Sequence, residues 1–282
     1  MTPRSLLFVP GDQLAMLQKA ATRGADALIV DLEDAVAPIR KAMAREVTAA
    51  WLRESNSFDF ECWVRVNGGT TMKEDLAEVG AVLRDGIMLP KAQSTEDVSM
   101  AITALTAVAP SAGLIVLVET AGAMVGVSAI ARLPGVRRLM LGEVDLGAEL
   151  GMESDVPAWD AVRANVVVAS VAAGLDAPIA AIDPDFSNPA RVEADSRRLA
   201  AMGFGGRAAI HPAQVAPINR AFTPTAEQVR TASEALARHE AALAAGIGAY
   251  ADGRGHMVDE AFLRRARRTL EAARRAGVDV PG

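Results

Sequence analysis

Short apolar runs recur along the chain at residues 6–9, 27–31, 62–66, 87–89, 114–118, 138–141, 178–181 and 208–210. Between them lie stretches with helix-forming composition and apolar residues three and four positions apart, including 13–23, 41–54, 73–84, 95–107, 158–173 and 191–202. Strand and helix therefore alternate, and that alternation predicts a parallel sheet. Eight such units favour a closed (β/α)8 TIM barrel over an open doubly wound sheet, and no G-x-G-x-x-G follows the first run. The pattern changes after His211. Residues 215–221 and 227–245 read as helices, 246–255 as a glycine-rich link, and 259–275 as a final basic helix. The expected organisation is an α/β barrel over 1–222 with a C-terminal helical extension over 223–282.

Composition agrees with one large α/β unit. The chain has 282 residues, is 51% hydrophobic and only 4% aromatic, and its abundant Ala, Val and Leu suit helices alternating with buried parallel strands. A net charge of −6 offers no general attraction to nucleic acid. The single cysteine, Cys62, lies in an apolar run, cannot form an internal disulfide, and fits a reducing cytoplasm. The first apolar run is too short for a secretory signal, and the apolar stretch 114–131 is interrupted by Glu119 and glycines, so no membrane span is expected.

The polar residues that follow the apolar runs form a second pattern: Asp31, Glu33 and Asp34, then Arg65 and Asn67, Lys91, Glu119, Asp145, Asp183 and His211. In a barrel these positions crowd onto the C-terminal rim, where barrel enzymes place their sites. Carboxylates there can also simply cap the helices that follow. Glu119 and Asp145 fit a magnesium site, because magnesium takes one or two protein carboxylates and leaves its other positions to water and substrate. His211, His239 and His256 are scattered and offer no zinc site. Arg65 leaves an apolar strand, where a charge needs a partner: either Glu33 or Asp34 within the rim, or the carboxylate of a ligand. With a metal nearby, it suggests a 2-oxo or 2-hydroxy acid.

Eight motifs in order carry a family resemblance: Arg4-Ser-Leu-Leu-Phe-Val-Pro-Gly11, Asp31-Leu-Glu-Asp-Ala-Val36, Arg65-Val-Asn67, Leu89-Pro-Lys91, Val118-Glu-Thr120, Gly142-Glu-Val-Asp-Leu146, Ile210-His-Pro212 and Met257-Val-Asp259. Together they resemble the citrate lyase beta subunit-like family, within the HpcH/HpaI aldolase group that includes malyl-CoA and citramalyl-CoA lyases. The resemblance implies a Mg2+-dependent lyase that breaks or forms the carbon–carbon bond between a 2-oxo acid and the α-carbon of a CoA thioester. It implies that Glu119 and Asp145 ligate the metal and that Arg65 holds the oxo-acid carboxylate. It also implies that Asp259 reaches the active site of an adjacent subunit as acid/base within a homotrimer. From the residues alone, Asp259 reads as the N-cap of the last helix.

Three departures stand out. Gln13 occupies a place that is often basic, although Lys19 matches a lysine common later in that helix and is a candidate substrate contact. Val144 sits beside Asp145, and Arg207 replaces a lysine. Other readings of the same residues are a citrate lyase subunit acting on a carrier-bound thioester, a thioester hydrolase or malate-synthase-like enzyme, a CoA-independent aldolase, and a noncatalytic acid-binding subunit.

Overall fold

The computed structural model describes residues 2–54, 59–154, 156–244, 250–251 and 257–280. Eight parallel strands close on themselves: β1 Ser5–Pro10, β2 Ala27–Asp31, β3 Glu61–Arg65, β4 Gly86–Leu89, β5 Gly113–Val118, β6 Val136–Leu141, β7 Ile179–Ala180 and β8 Gly206–Ala209. Each pairs with the next and β8 returns to β1 through Leu6 opposite Ala208. All eight apolar runs are strands of this barrel, so the alternation is read correctly.

Side chains separate by parity along the strands. Leu6, Ile29, Trp63, Met88, Ile115, Leu117, Met140, Ile179 and Ala208 fill the barrel interior, while Leu28, Val64, Ile87, Val116 and Leu139 join the larger core with the helices. Both faces are thus apolar, which is why these runs read as continuous.

Helix starts follow capping chemistry. Ser94 and Asp97 form a capping box for helix Thr95–Val108, and Asn188 with Pro189 opens helix Pro189–Met202. Three short helices, Ala121–Val125, Val127–Ile130 and Glu143–Leu150, lie where apolar periodicity signals little.

The barrel's N-terminal end is closed by charge. Arg138 of β6 is fully buried, pairs with Glu61 and Asp176 at 3.0 Å each, and lies 5.8 Å from the Trp63 ring. Trp63 Nε1 donates to the same Glu61 carboxylate at 2.9 Å.

The chain divides into two compact units, Thr2–Phe222 and a second beginning at Thr223. In the second, helices Ala226–Ala244 and Glu260–Arg275 pack through Val229, Ala232, Ala266, Leu270 and Ala273. The expected glycine-rich link needs correcting at one point, because Tyr250–Ala251 pairs antiparallel with Met257–Val258. The rest of that link, 246–249 and 252–255, and His256 lie outside the described residues. Among the described residues, no helix is long and apolar enough to cross a membrane.

Candidate active site

The C-terminal ends of β2 and β3 deliver a dense charge cluster. Arg65, the last residue of β3, forks onto Asp31, the last of β2, with Nε to Oδ1 at 2.7 Å and the second nitrogen to Oδ2 at 2.6 Å. Its third nitrogen reaches Glu33 at 3.0 Å, and its plane lies 5.0 Å from the Phe8 ring centroid. Burial opposes the Arg65 charge, but the hydrogen bonds and attraction from Asp31, with Glu33 and Asp34 behind, outweigh it and raise its pKa. Rim pairing of Arg65 is therefore present, with Asp31 as the principal partner rather than Glu33 or Asp34 alone. Asp31 is itself fixed by the backbone N–H groups of Glu33 and Ala35.

Lys91, two residues past β4, spans Glu33 and Asp34 with its ammonium group. Its backbone is left-handed, φ 54°, the one positive φ at a non-glycine among the described residues. That turn aims the Lys91 N–H at Glu119 Oε1, 2.8 Å away. Thr120 Oγ1 ties the same two loops together by donating to the Ala92 carbonyl at 2.6 Å.

Glu119 directly follows β5 and is only 2% exposed. Burial pushes its carboxyl up to about 7; the Lys91 N–H opposes that shift, and repulsion from Asp145 and Glu33 adds to it. Gly142 leaves the room Glu119 occupies, since a Cβ there would come within 2.5 Å of Glu119 Cβ and 3.0 Å of Oε2. Asp145 sits in the first turn of helix Glu143–Leu150, where the helix N-terminus favours negative charge. That turn is anchored by Arg163, which forks onto Glu143 at 2.7 and 2.6 Å.

Arg65, Glu119 and Asp145 line one cavity of about 240 Å3, together with Asp31, Val144 and apolar side chains from β1, β5 and β6. Five carboxyl groups, Asp31, Glu33, Asp34, Glu119 and Asp145, stand against three cations, Lys41, Arg65 and Lys91. This acidic excess of hard oxygen donors suits a divalent cation such as magnesium. Among the described residues, no three His, Cys, Asp or Glu side chains form a ready-made cation cage.

Asp183, His211 and Lys19 do not line this cavity. Asp183 pairs with Arg191 at 2.6 Å, and the His211 ring stacks on Phe186 at 4.5 Å. Lys19 is exposed on helix Leu14–Ala20 and is not among the cavity-lining residues. Asp259 caps helix Glu260–Arg275, accepting from the Phe262 N–H at 2.9 Å. The Lys91 backbone contact and the Arg163 anchor are new to the site. A left-handed turn at Pro-Lys leaves no composition signal, and Arg163 lies in a helix that periodicity reads only as packing.

These features define a (β/α)8-barrel protein whose C-terminal rim carries an acidic site around one arginine. The chain belongs to the HpcH/HpaI aldolase/citrate lyase family, whose model matches residues 4–212. It is 33% identical over 297 residues to the L-malyl-CoA/beta-methylmalyl-CoA lyase of Cereibacter sphaeroides, with 93% of this chain and 92% of that enzyme covered. It is 32% identical over 275 residues to the (3S)-malyl-CoA thioesterase of the same organism, covering 96% and 94%. Among solved structures, CitE from Mycobacterium tuberculosis in complex with magnesium, acetoacetate and coenzyme A matches with a TM-score of 0.79 at 30% identity, covering 96% of this chain and 98% of that one.

Proposed function

We propose that the protein is a Mg2+-dependent carbon–carbon lyase that cleaves, or forms, a 3-hydroxyacyl-CoA of the malyl-CoA or citramalyl-CoA type, giving acetyl-CoA and a 2-oxo acid. The observation that carries this reading is the convergence of Arg65, Glu119 and Asp145 on one cavity. Glu119 and Asp145 would hold the metal, and Arg65 the oxo-acid carboxylate. Arg65 has five N–H donors and spends three on Asp31 and Glu33, which leaves two for a ligand.

In cleavage, the bond between the hydroxyl-bearing carbon and the thioester α-carbon breaks. Its electron pair moves into the thioester as an enolate, the hydroxyl loses its proton to become the oxo group, and the enolate carbon gains a proton. Bound magnesium would supply electrostatic stabilisation of the negative charge that develops on the hydroxyl oxygen. Arg65 orients the acid end, and the low-exposure setting of Glu119 keeps water from screening these contacts.

Asp259 is the proposed acid/base toward the enolate carbon, acting from the second unit of a neighbouring copy in a homotrimer. Lys19 is the proposed contact for the phosphates of CoA. A cytoplasmic setting accords with the buried, free Cys62, whose thiol burial pushes up to about 12. The similarity to a malyl-CoA thioesterase favours one second reading, hydrolysis of the same thioester at the same site.

Calorimetric titration with Mg2+ tests the ligand assignment. Glu119→Gln and Asp145→Asn should each weaken Mg2+ by at least about tenfold, whereas Arg65→Lys should keep Mg2+ and lose 2-oxo acid binding. Unchanged Mg2+ affinity in both carboxylate variants would remove the assignment.

A further inference from the structure

A buried polar network underlies the loop that carries Asp31 and Glu33. Asp75, on helix Thr71–Val79, is completely buried and is not among the residues lining the cavity. Its Oδ1 accepts from Nε of Arg45, on helix Lys41–Glu54, at 2.7 Å. Its Oδ2 accepts twice from Asn67, from the backbone N–H at 2.7 Å and from Nδ2 at 2.8 Å. The other Nδ2 hydrogen of Asn67 goes to the Leu32 carbonyl at 2.9 Å, so both are spent and the amide has a single orientation.

Leu32 stands between Asp31 and Glu33, the two carboxylates that hold Arg65. Its carbonyl also accepts from Nζ of Lys41 at 2.7 Å, and the same ammonium group reaches the Glu33 carbonyl. Its N–H donates to the Arg65 carbonyl at 2.9 Å. The loop after β2 is thus pinned from both sides, and the chain of bonds from Asp75 ends on the backbone that aims Asp31 and Glu33. A buried carboxylate is costly unless its oxygens are satisfied, and a helix that merely packs has no need of one. The metal end of the site is supported by other residues: Glu119 by the Lys91 N–H, and the turn bearing Asp145 by Arg163.

Resting on the reading of Arg65 as the acid-binding group, we infer that Asp75 is a positioning residue for that arginine. Through Asn67 it fixes the Leu32 backbone, and with it the two carboxylates that orient the guanidinium. Asp75→Asn keeps the volume but has one acceptor oxygen, so in either orientation its amide sets a donor against Arg45 or against Asn67. Asn67→Ala keeps the Asp75–Arg45 pair and the backbone N–H at 67, and removes only the side-chain link to Leu32.

The test uses the full-length protein. Amide hydrogen exchange over residues 32–36, read by mass spectrometry, should quicken about tenfold in both variants, while exchange in β6 stays as it is. In calorimetry, glyoxylate and pyruvate should bind the Mg2+-loaded variants at least about tenfold more weakly, with Mg2+ affinity kept within about threefold. Asn67→Ala carries the test alone if Asp75→Asn does not fold. A loosened fold would quicken exchange throughout the barrel and weaken Mg2+ in step with the acids, and that result would overturn the positioning role. Unchanged exchange over 32–36, or faster exchange there with acid affinity unaltered, would overturn it equally. If neither acid binds the unaltered protein while 32–36 still loosens in the variants, the lyase reading falls and the hold of Asp75 on the loop stands.

Discussion

The backbone N–H of Lys91 donates to Oε1 of Glu119 at 2.8 Å from a left-handed conformation, φ 54°. For a residue with a side chain, that conformation costs on the order of 1–2 kcal/mol, so its retention here ties the loop after β4 to the carboxylate after β5. The contact comes from the main chain, and Nζ is engaged separately by Glu33 and Asp34.

Glycine at position 91 keeps both the N–H and the φ angle. Lys91→Gly should therefore retain Mg2+ affinity within about threefold, while Lys91→Pro, which lacks the donor and cannot adopt that φ, should lose about tenfold or more. Calorimetry on the two variants decides the matter. Equal losses in both would shift the positioning role from the backbone to the ammonium group.

The raised carboxyl of Glu119 makes metal binding and stability respond to pH in opposite senses. Its folded value, about 7, lies above the ordinary 4.5. Between those values the folded metal-free protein keeps a proton that the unfolded chain has lost, so this group's contribution to stability is full below pH 4.5 and falls away as pH rises through 7. Mg2+ needs the ionised form, so its affinity should rise about tenfold per pH unit up to about 7 and then level. Thermal melts and Mg2+ titrations across pH 5–8 check both slopes. Glu119→Gln should flatten the stability slope, and persistence of that slope in the variant would assign it to another group.

At the opposite end of the barrel, Arg138 serves stability. It is completely buried between Glu61, Asp176 and the Trp63 ring, with no part in the cavity at the mouth. Arg138→Met should cost about 3 kcal/mol in denaturant unfolding, the scale of removing one member of a buried pair, while KM for the thioester stays unchanged. A changed KM with unaltered unfolding would contradict the separation of the two ends.

Asp259 can be resolved into cap and catalyst. Asparagine caps a helix about as well as aspartate, whereas alanine costs about 1 kcal/mol. Asp259→Asn should therefore keep the melting temperature and Mg2+ affinity but lose turnover by at least about 100-fold. Asp259→Ala should lose both turnover and some stability. Full turnover in the asparagine variant would confine Asp259 to the capping bond it makes with Phe262.

Much of this architecture is legible in the sequence because its signals are local. Buried parallel strands are continuous apolar runs, so all eight strands can be read, and polar residues at their ends must face one rim. Arg65 and Glu119 are visible for the same reason: charges at the ends of apolar runs. What the sequence conceals depends on distant partners or on backbone sign. The fork from Arg65 to Asp31 joins residues 34 positions apart, and the left-handed turn at Lys91 follows from closure of the loop against β5. The displacement of Asp183 toward Arg191 and of His211 toward Phe186 likewise reflects local loop packing that strand-end position cannot reveal.

The central claim is tested most directly by product analysis with citramalyl-CoA and malyl-CoA, measuring 2-oxo acid, acetyl-CoA and free CoA in parallel with and without Mg2+. The predicted result is equal amounts of acetyl-CoA and 2-oxo acid, formed only when Mg2+ is present, with no free CoA. Free CoA released alongside an intact 2-hydroxy acid would contradict carbon–carbon cleavage and establish thioester hydrolysis in its place.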